Sequence, residues 1–251
     1  MSIIHRTTLV PSKLELLAAW LPAQPWYLDR GRKPELTKTG GFRLDDPQGE
    51  VGIEFMVVAD GSGDRAISYH IPMTYRSRAL DGASAGLIGT TEHGVLGHRW
   101  VYDGTHDPVF VAQLVALIQG EAQPQAQSLN DTPDPTVTSH AATNCSLTAI
   151  GSLIAANMPS GTDLRVETAR ADAVPGGQLT VRINRVLEAA GSVASVGQAW
   201  LPCVIGNWKL PDGAQVRGVF AAAQYTGVLG VRSAEFRLTR ASAIRRIPGS
   251  V

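Results

Sequence analysis

The run VGIEFMVVADGSGDRAISYHIPMTY, residues 51–75, decides the fold class. Val51 to Ala59 is rich in β-branched and aromatic residues and reads as a strand. Asp60-Gly61-Ser62-Gly63-Asp64 supplies residues that tolerate positive φ and reads as a hairpin loop. Ala66 to Tyr75 then returns as a second strand. Pro72 has no N–H to give to a ladder, which favours an edge or a bulge there.

Working outward, Ile3 to Val10 reads as a strand that stops at Pro11-Ser12. Ser12 with Glu15 three residues on forms a capping-box pattern. Leu14, Leu17, Ala18 and Leu21 then share one face of a short helix that ends before Pro22. Gly41 to Leu44 reads as a short strand, and Asp46-Pro47-Gln48-Gly49 as a turn. Beyond the hairpin, Leu87 to Thr91 and Gly97 to Tyr102 form another strand pair. Asp107-Pro108 opens a helix, with Asp107 as N-cap and Pro108 at the first helical position. Its apolar stripe is Phe110, Leu114, Leu117 and Ile118.

Glu121 to Pro135 is rich in Gln, Pro, Asp and Asn, lacks periodicity and reads as a linker. The pattern after it is mostly β: Ser146–Ala155, Asp163–Thr168, Gln178–Leu187, Val196–Ile205, Ala214–Tyr225 and Ala234–Thr239, with turns at Pro175-Gly176-Gly177 and Pro211-Asp212-Gly213. The expected organisation is an α+β domain over 1–120, a linker over 121–135 and a second β-rich domain over 136–251.

The 251 residues are enough to bury a real core, and their formal net charge is zero. That balance argues against a counterion-rich interface with nucleic acid or an anionic membrane. Arg237, Arg240, Arg245 and Arg246 are a local exception, read as a solvated terminus or a docking tail for an acidic partner. MSIIHRTTLVP lacks a basic region followed by an apolar one, and no run approaches the ~20 apolar residues of a membrane span. A cytoplasmic protein is expected. Cys145 and Cys203 sit in apolar company and read as buried free thiols.

Four segments carry a resemblance: HRTTLVPSKLELLAAWLPAQPWY, GGFRLDDPQGEVGIEFMVV, YHIPMTYR and LIGTTEHGVLGHRWVYDGTHDPVF. In this order they resemble the cap-like domain at the N-terminus of actinobacterial maltokinases and related sugar kinases. They are also similar to small free-standing proteins that carry that cap, some of them called glucan branching proteins. The resemblance implies a curved antiparallel sheet with helices packed on one side, similar to a cystatin-like arrangement, for Ile3 to Gly120. Kinase activity is not implied. The chain has no catalytic-loop His-x-Asp with a downstream Asn and no Asp-Phe-Gly equivalent, the groups that orient the hydroxyl and hold Mg²⁺ in phosphoryl transfer.

Candidate functional residues cluster between Arg65 and Val111, where histidines, aromatics and carboxylates crowd among apolar strand patterns. Glu92, His93, His98, Trp100, Tyr102, Asp103, His106 and Asp107 are the candidate recognition surface, because many polar groups each need a hydrogen-bond partner. Trp100 and Tyr102 share a strand face opposite Arg99, Val101 and Asp103, and that face serves either recognition or core packing. The spacings His93-x4-His98 and His98-x7-His106 match no standard metal-ligand motif, so neither metal nor cofactor is expected. Gly82-x3-Gly86-x2-Gly89 lies between strands and reads as a loop, not a phosphate cradle. No Gly-x-Ser-x-Gly elbow is present.

The expected function is therefore non-catalytic: a cap-like protein that binds a partner, such as a sugar kinase or another enzyme of glucan or trehalose metabolism, or that modulates sugar-phosphate, glycogen or trehalose metabolism, with no nucleic acid or membrane partner. The alternative is a module or enzyme for a small molecule, a sugar or a metal-dependent substrate, using the His-rich segment 92–107.

Overall fold

The protein is described by a computed structural model covering residues 8–28, 31–127, 132–140, 149–169, 178–189 and 202–226. Its strands are β1 (Leu9–Val10), β2 (Leu36–Leu44), β3 (Gly52–Asp60), β4 (Ile67–Arg76), β5 (Leu87–His93), β6 (Gly97–Asp103), β7 (Thr138–His140), β8 (Ala149–Met158), β9 (Gly161–Ala169), β10 (Gln178–Asn184), β11 (Cys203–Lys209) and β12 (Gln215–Thr226). The helices among the described residues are α1 (Lys13–Trp20) and α2 (Pro108–Gln119), with short 3-10 turns between elements. The strands form one antiparallel sheet in the order β1-β5-β6-β4-β3-β2-β11-β12-β10-β9-β8, with β7 beside β11. This is the β-rich α+β class expected from the sequence.

The 51–75 hairpin is the spine. β3 pairs with β4 from Gly52↔Tyr75 to Asp60↔Ile67. β3 is buried on both faces from Ile53 to its end, as a near-continuous apolar run requires. Each face therefore needs its own cover. Phe55 meets Phe110 of α2, ring centroids 5.0 Å apart, within a core that also holds Ile53 and Val57. Met56 and Val58 pack instead with Leu17 and Leu21 at α1. The helices thus lie on opposite faces of the sheet, where the resemblance implied one side.

Local signals explain both helices. Ser12 and Glu15 exchange the two capping hydrogen bonds at α1, as their spacing predicts. Asp107 accepts from Val109 N–H, and α2 closes on Gly120 at φ +78°, a conformation natural to glycine. Phe110, Leu114, Leu117 and Ile118 are all buried.

The sheet continues from the first half of the chain into the second at one residue pair, Trp208↔Gly40. The same core takes in Phe42, Phe55 and α2 from one half and Leu164, Val181, Val204 and Phe220 from the other. The sheet is not closed by a ladder, but it curls far enough for a single bridge. Beyond β10, Val186 pairs with Tyr69; His70 N–H donates to the Arg185 carbonyl at 2.9 Å and Leu187 N–H to the Ser68 carbonyl at 2.9 Å. β6 pairs β4 only from Met73 onward. Pro72 therefore sits in the gap between that ladder and the bridge, where its missing N–H leaves no bond unmade.

The Pro211-Asp212-Gly213 turn joins β11 to β12, with Gly213 at φ +86°. Cys203 is buried and free, and burial pushes its thiol pKa up. Cys145, the strand expected at Ala234–Thr239, the Pro175-Gly176-Gly177 turn and the arginine tail lie outside the described residues. No described helix is long and apolar enough to cross a membrane.

Candidate functional site

The residues between Glu92 and Asp107 separate into two groups along β6. At its start, the β5–β6 turn exposes Glu92 and His98, with His93 and Trp100 half-buried. His98 Nδ1 lies 2.5 Å from Glu92 Oε1, and its ring meets Trp100 edge-on at 4.4 Å. His93 Nδ1 accepts from Val95 and Leu96 N–H at 3.2 and 3.0 Å, which fixes the turn. Around it lie Val95, Leu96 and, across β1, Val10, which are 61%, 46% and 66% exposed. β1 pairs Val10 with Glu92, so these apolar side chains and the imidazoles share one rim.

At the other end Tyr102, Asp103 and Asp107 are buried and His106 is half-buried. Tyr102 accepts from Leu80 N–H through its hydroxyl at 2.9 Å. Asp107 caps α2 and forms a two-pronged ion pair with Arg76 at 2.6 and 2.7 Å. His106 lies against Gly86, where a Cβ would stand 2.5 Å from its ring. Asp103 accepts from Thr105 and receives Arg185 Nη2 on both oxygens, at 2.8 and 2.6 Å. Arg185 is wholly buried, stacks 5.0 Å over Trp26, and also donates to Thr162. His70, interior between Phe55 and Phe220, contacts the Asn184 carbonyl through Nδ1 at 3.1 Å. Burial, and then Arg185, press its pKa down to about 3. Among the described residues, His70 Nε2 and Arg185 Nη1 have no hydrogen-bond partner. No three His, Cys, Asp or Glu side chains among those residues come together as a metal-ligating group.

A third polar centre lies on the α1 face of β3. Glu54 is almost wholly buried, accepts from Lys13 at 2.6 Å, Tyr75 at 2.6 Å and Gln127 at 3.2 Å, and has the Lys38 ammonium 3.6 Å away. Burial pushes its carboxyl pKa up, but the two ammonium groups and the hydrogen bonds outweigh that and hold it below the usual range. Lys38 leans from this cluster into a groove of about 1030 Å³, whose walls include Leu36, Lys38, Gln127, Lys209 and Gly213. None of the eight candidate residues lines it.

Residues 20–107, about a third of the chain, match the family described as the maltokinase N-terminal cap domain. This segment is similar to a maltokinase cap domain. The match spans β2 to β6 and stops at the N-cap of α2. No curated protein matches the chain.

Sequence reading missed Arg185, Glu54 and Lys38. Arg185 and Asp103 are 82 positions apart, and nothing local ties them together. Glu54 had a signal, a lone carboxylate inside an apolar strand, since such a group is rarely buried without a cationic partner.

Proposed function

We propose that the chain is a non-catalytic, cytoplasmic, cap-like protein that docks onto an enzyme of sugar-phosphate, glucan or trehalose metabolism. The observation that carries this reading is the match of residues 20–107 to a domain named for its place on a maltokinase. The absence from the sequence of the residues that hold Mg²⁺ and orient a hydroxyl supports a non-catalytic role for this chain. The rim of the β5–β6 turn is the proposed contact: Val10, Val95 and Leu96 offer apolar area, and Glu92, His93, His98 and Trp100 offer groups that can fix orientation. Tyr102, Asp103, His106 and Asp107 stand at the far end of β6 and are not part of the proposed contact.

Affinity capture from a native lysate, with bound proteins identified by mass spectrometry, tests the reading. The expected result is a carbohydrate-metabolising enzyme retained by the wild-type chain and lost with His98→Ala or Trp100→Ala. Saturable turnover of ATP with maltose or glucosamine by the purified chain, abolished by substitution of one of its carboxylates, would overturn it.

A further inference from the structure

The groove beside Lys38 exists because the second edge of β2 is covered in pieces. At one end, Arg43 and Gln125 exchange both backbone hydrogen bonds, at 2.9 and 2.8 Å. In the middle, Gly40 pairs with Trp208, and a Cβ on Gly40 would stand 2.8 Å from the Asn207 carbonyl oxygen. Beyond that point β11 turns away through its hairpin, and among the described residues no strand follows β2 from Leu36 to Thr39 on this side.

The register tells which groups are left open. The Glu35 carbonyl accepts from Gly61 N–H, toward β3. Strand groups alternate sides with period two, and Thr37 follows Glu35 in pairing toward β3, opposite Ala59. The N–H and C=O of Leu36 and Lys38 therefore point the other way, into the groove. An open strand edge is a template for another strand.

The charge of the walls narrows the occupant. Lys13 and Lys38 share one carboxylate, Glu54, which Tyr75 and Gln127 already help to satisfy. That cluster keeps a surplus positive charge, and Lys38 carries it into the groove. Lys209 stands on the opposite wall, exposed and without an ion pair among the described residues. Glu35 is the one acid on the lining. The C-terminal residues 227–251, with Arg232, Arg237, Arg240, Arg245 and Arg246 against Glu235, have the wrong sign to fill it.

We propose that this groove binds an extended acidic peptide segment of a partner protein, which adds as a strand along Leu36–Lys38 and places carboxylates between Lys38 and Lys209. The open edge runs about 10 Å at ~3.3 Å per residue, enough for the central residues of a short peptide. The inference rests on the reading of a partner-binding protein but uses a different surface from the β5–β6 rim. Loss of capture by the His98 and Trp100 variants therefore bears on that reading alone, and peptide binding at the groove on this one.

Fluorescence anisotropy at low salt with the full chain tests it. The probes are a labelled Thr-Glu-Val-Glu-Val-Glu peptide, its lysine counterpart, and the acidic peptide with alternate amides N-methylated. The acidic peptide should bind saturably. The lysine and N-methylated peptides should each bind at least tenfold more weakly. Lys209→Gln, an exposed change that leaves the fold untouched, should weaken the acidic peptide about threefold or more, and Lys38→Gln with Lys209→Gln at least tenfold. Equal binding of the acidic and lysine peptides would overturn the proposal, as would indifference to N-methylation or to both lysine changes. Displacement of the peptide by millimolar inorganic phosphate or glucose 6-phosphate at constant ionic strength would also overturn it, in favour of a small-anion site.

Discussion

β6 carries polar residues at both ends, and the two ends behave differently. At the start, His98 and Glu92 pair in water beside exposed Val95 and Leu96. At the end, Asp103 is buried and holds a wholly buried arginine from the second half of the chain. Within seven residues one strand thus places His98 in a pair that the fold does not need and Asp103 in a pair that it cannot lose. An exposed ion pair contributes from nothing to about 1 kcal/mol. Breaking a buried one leaves a charge without a partner and costs several times more. A density of polar residues along a strand therefore says little about function until burial divides them.

The buried end should give the largest effect. Asp103→Ala strands Arg185 beside Trp26 and removes the acceptor of Thr105, and should destabilise the protein by about 3–5 kcal/mol. Urea unfolding followed by tryptophan fluorescence measures it. A loss below about 1 kcal/mol would erase the distinction between the two ends of β6. Glu54→Gln comes next, at about 1–3 kcal/mol, because Lys13 and Lys38 both reach water once their shared carboxylate is gone.

His70 sharpens the comparison through pH. Its folded pKa is near 3, against 6.5 for the free side chain. Between those values the unfolded chain binds a proton that the folded one refuses, so stability falls as pH drops through the window and is whole above about 6.5. The slope from this group is at most about 1.4 kcal/mol per pH unit. His70→Phe keeps the ring between Phe55 and Phe220 and should flatten the unfolding free energy between pH 4 and 6 relative to wild type. An unchanged slope would show that the imidazole is protonated in place.

What the sequence made legible was local. The capping box at Ser12, Asp107 and Pro108 at the start of α2, the apolar stripe from Phe110 to Ile118, and the hairpin from Val51 to Tyr75 each follow from residues within a few positions of one another. The sequence reading gives only Gly41 to Leu44 as this strand, whereas β2 starts at Leu36 and takes in the polar, glycine-containing stretch before it. Those glycines answer close approach: a Cβ on Gly41, at φ +122°, would overlap the Phe55 carbonyl, and one on Gly40 would meet Trp208. The side on which each helix packs was hidden for a related reason. The apolar run of β3 shows that both faces are buried, but not which helix covers which. Asp103–Arg185 and the cluster at Glu54 depend on register between distant strands, which no local spacing encodes.

The smallest stability effect belongs to the exposed end, and there a small number is the informative one. Replacing His98 removes a solvent-exposed contact to Glu92 and its edge contact to the half-buried Trp100. His98→Ala should change stability by no more than about 0.5 kcal/mol, as surface substitutions usually do. Trp100→Ala should cost more, about 1 kcal/mol, for the apolar area it leaves. A rim that binds nothing predicts the same small numbers and no other consequence. A rim that docks a partner predicts that His98→Ala and a Val95→Ser, Leu96→Ser double variant each reduce capture severalfold at unchanged melting temperature. Exposed apolar side chains beside a tryptophan carry binding energy at a partner's surface and none in the free protein. If His98→Ala instead destabilises the protein as strongly as Asp103→Ala, the imidazole belongs to the structural end of β6 and the docking rim must be sought elsewhere.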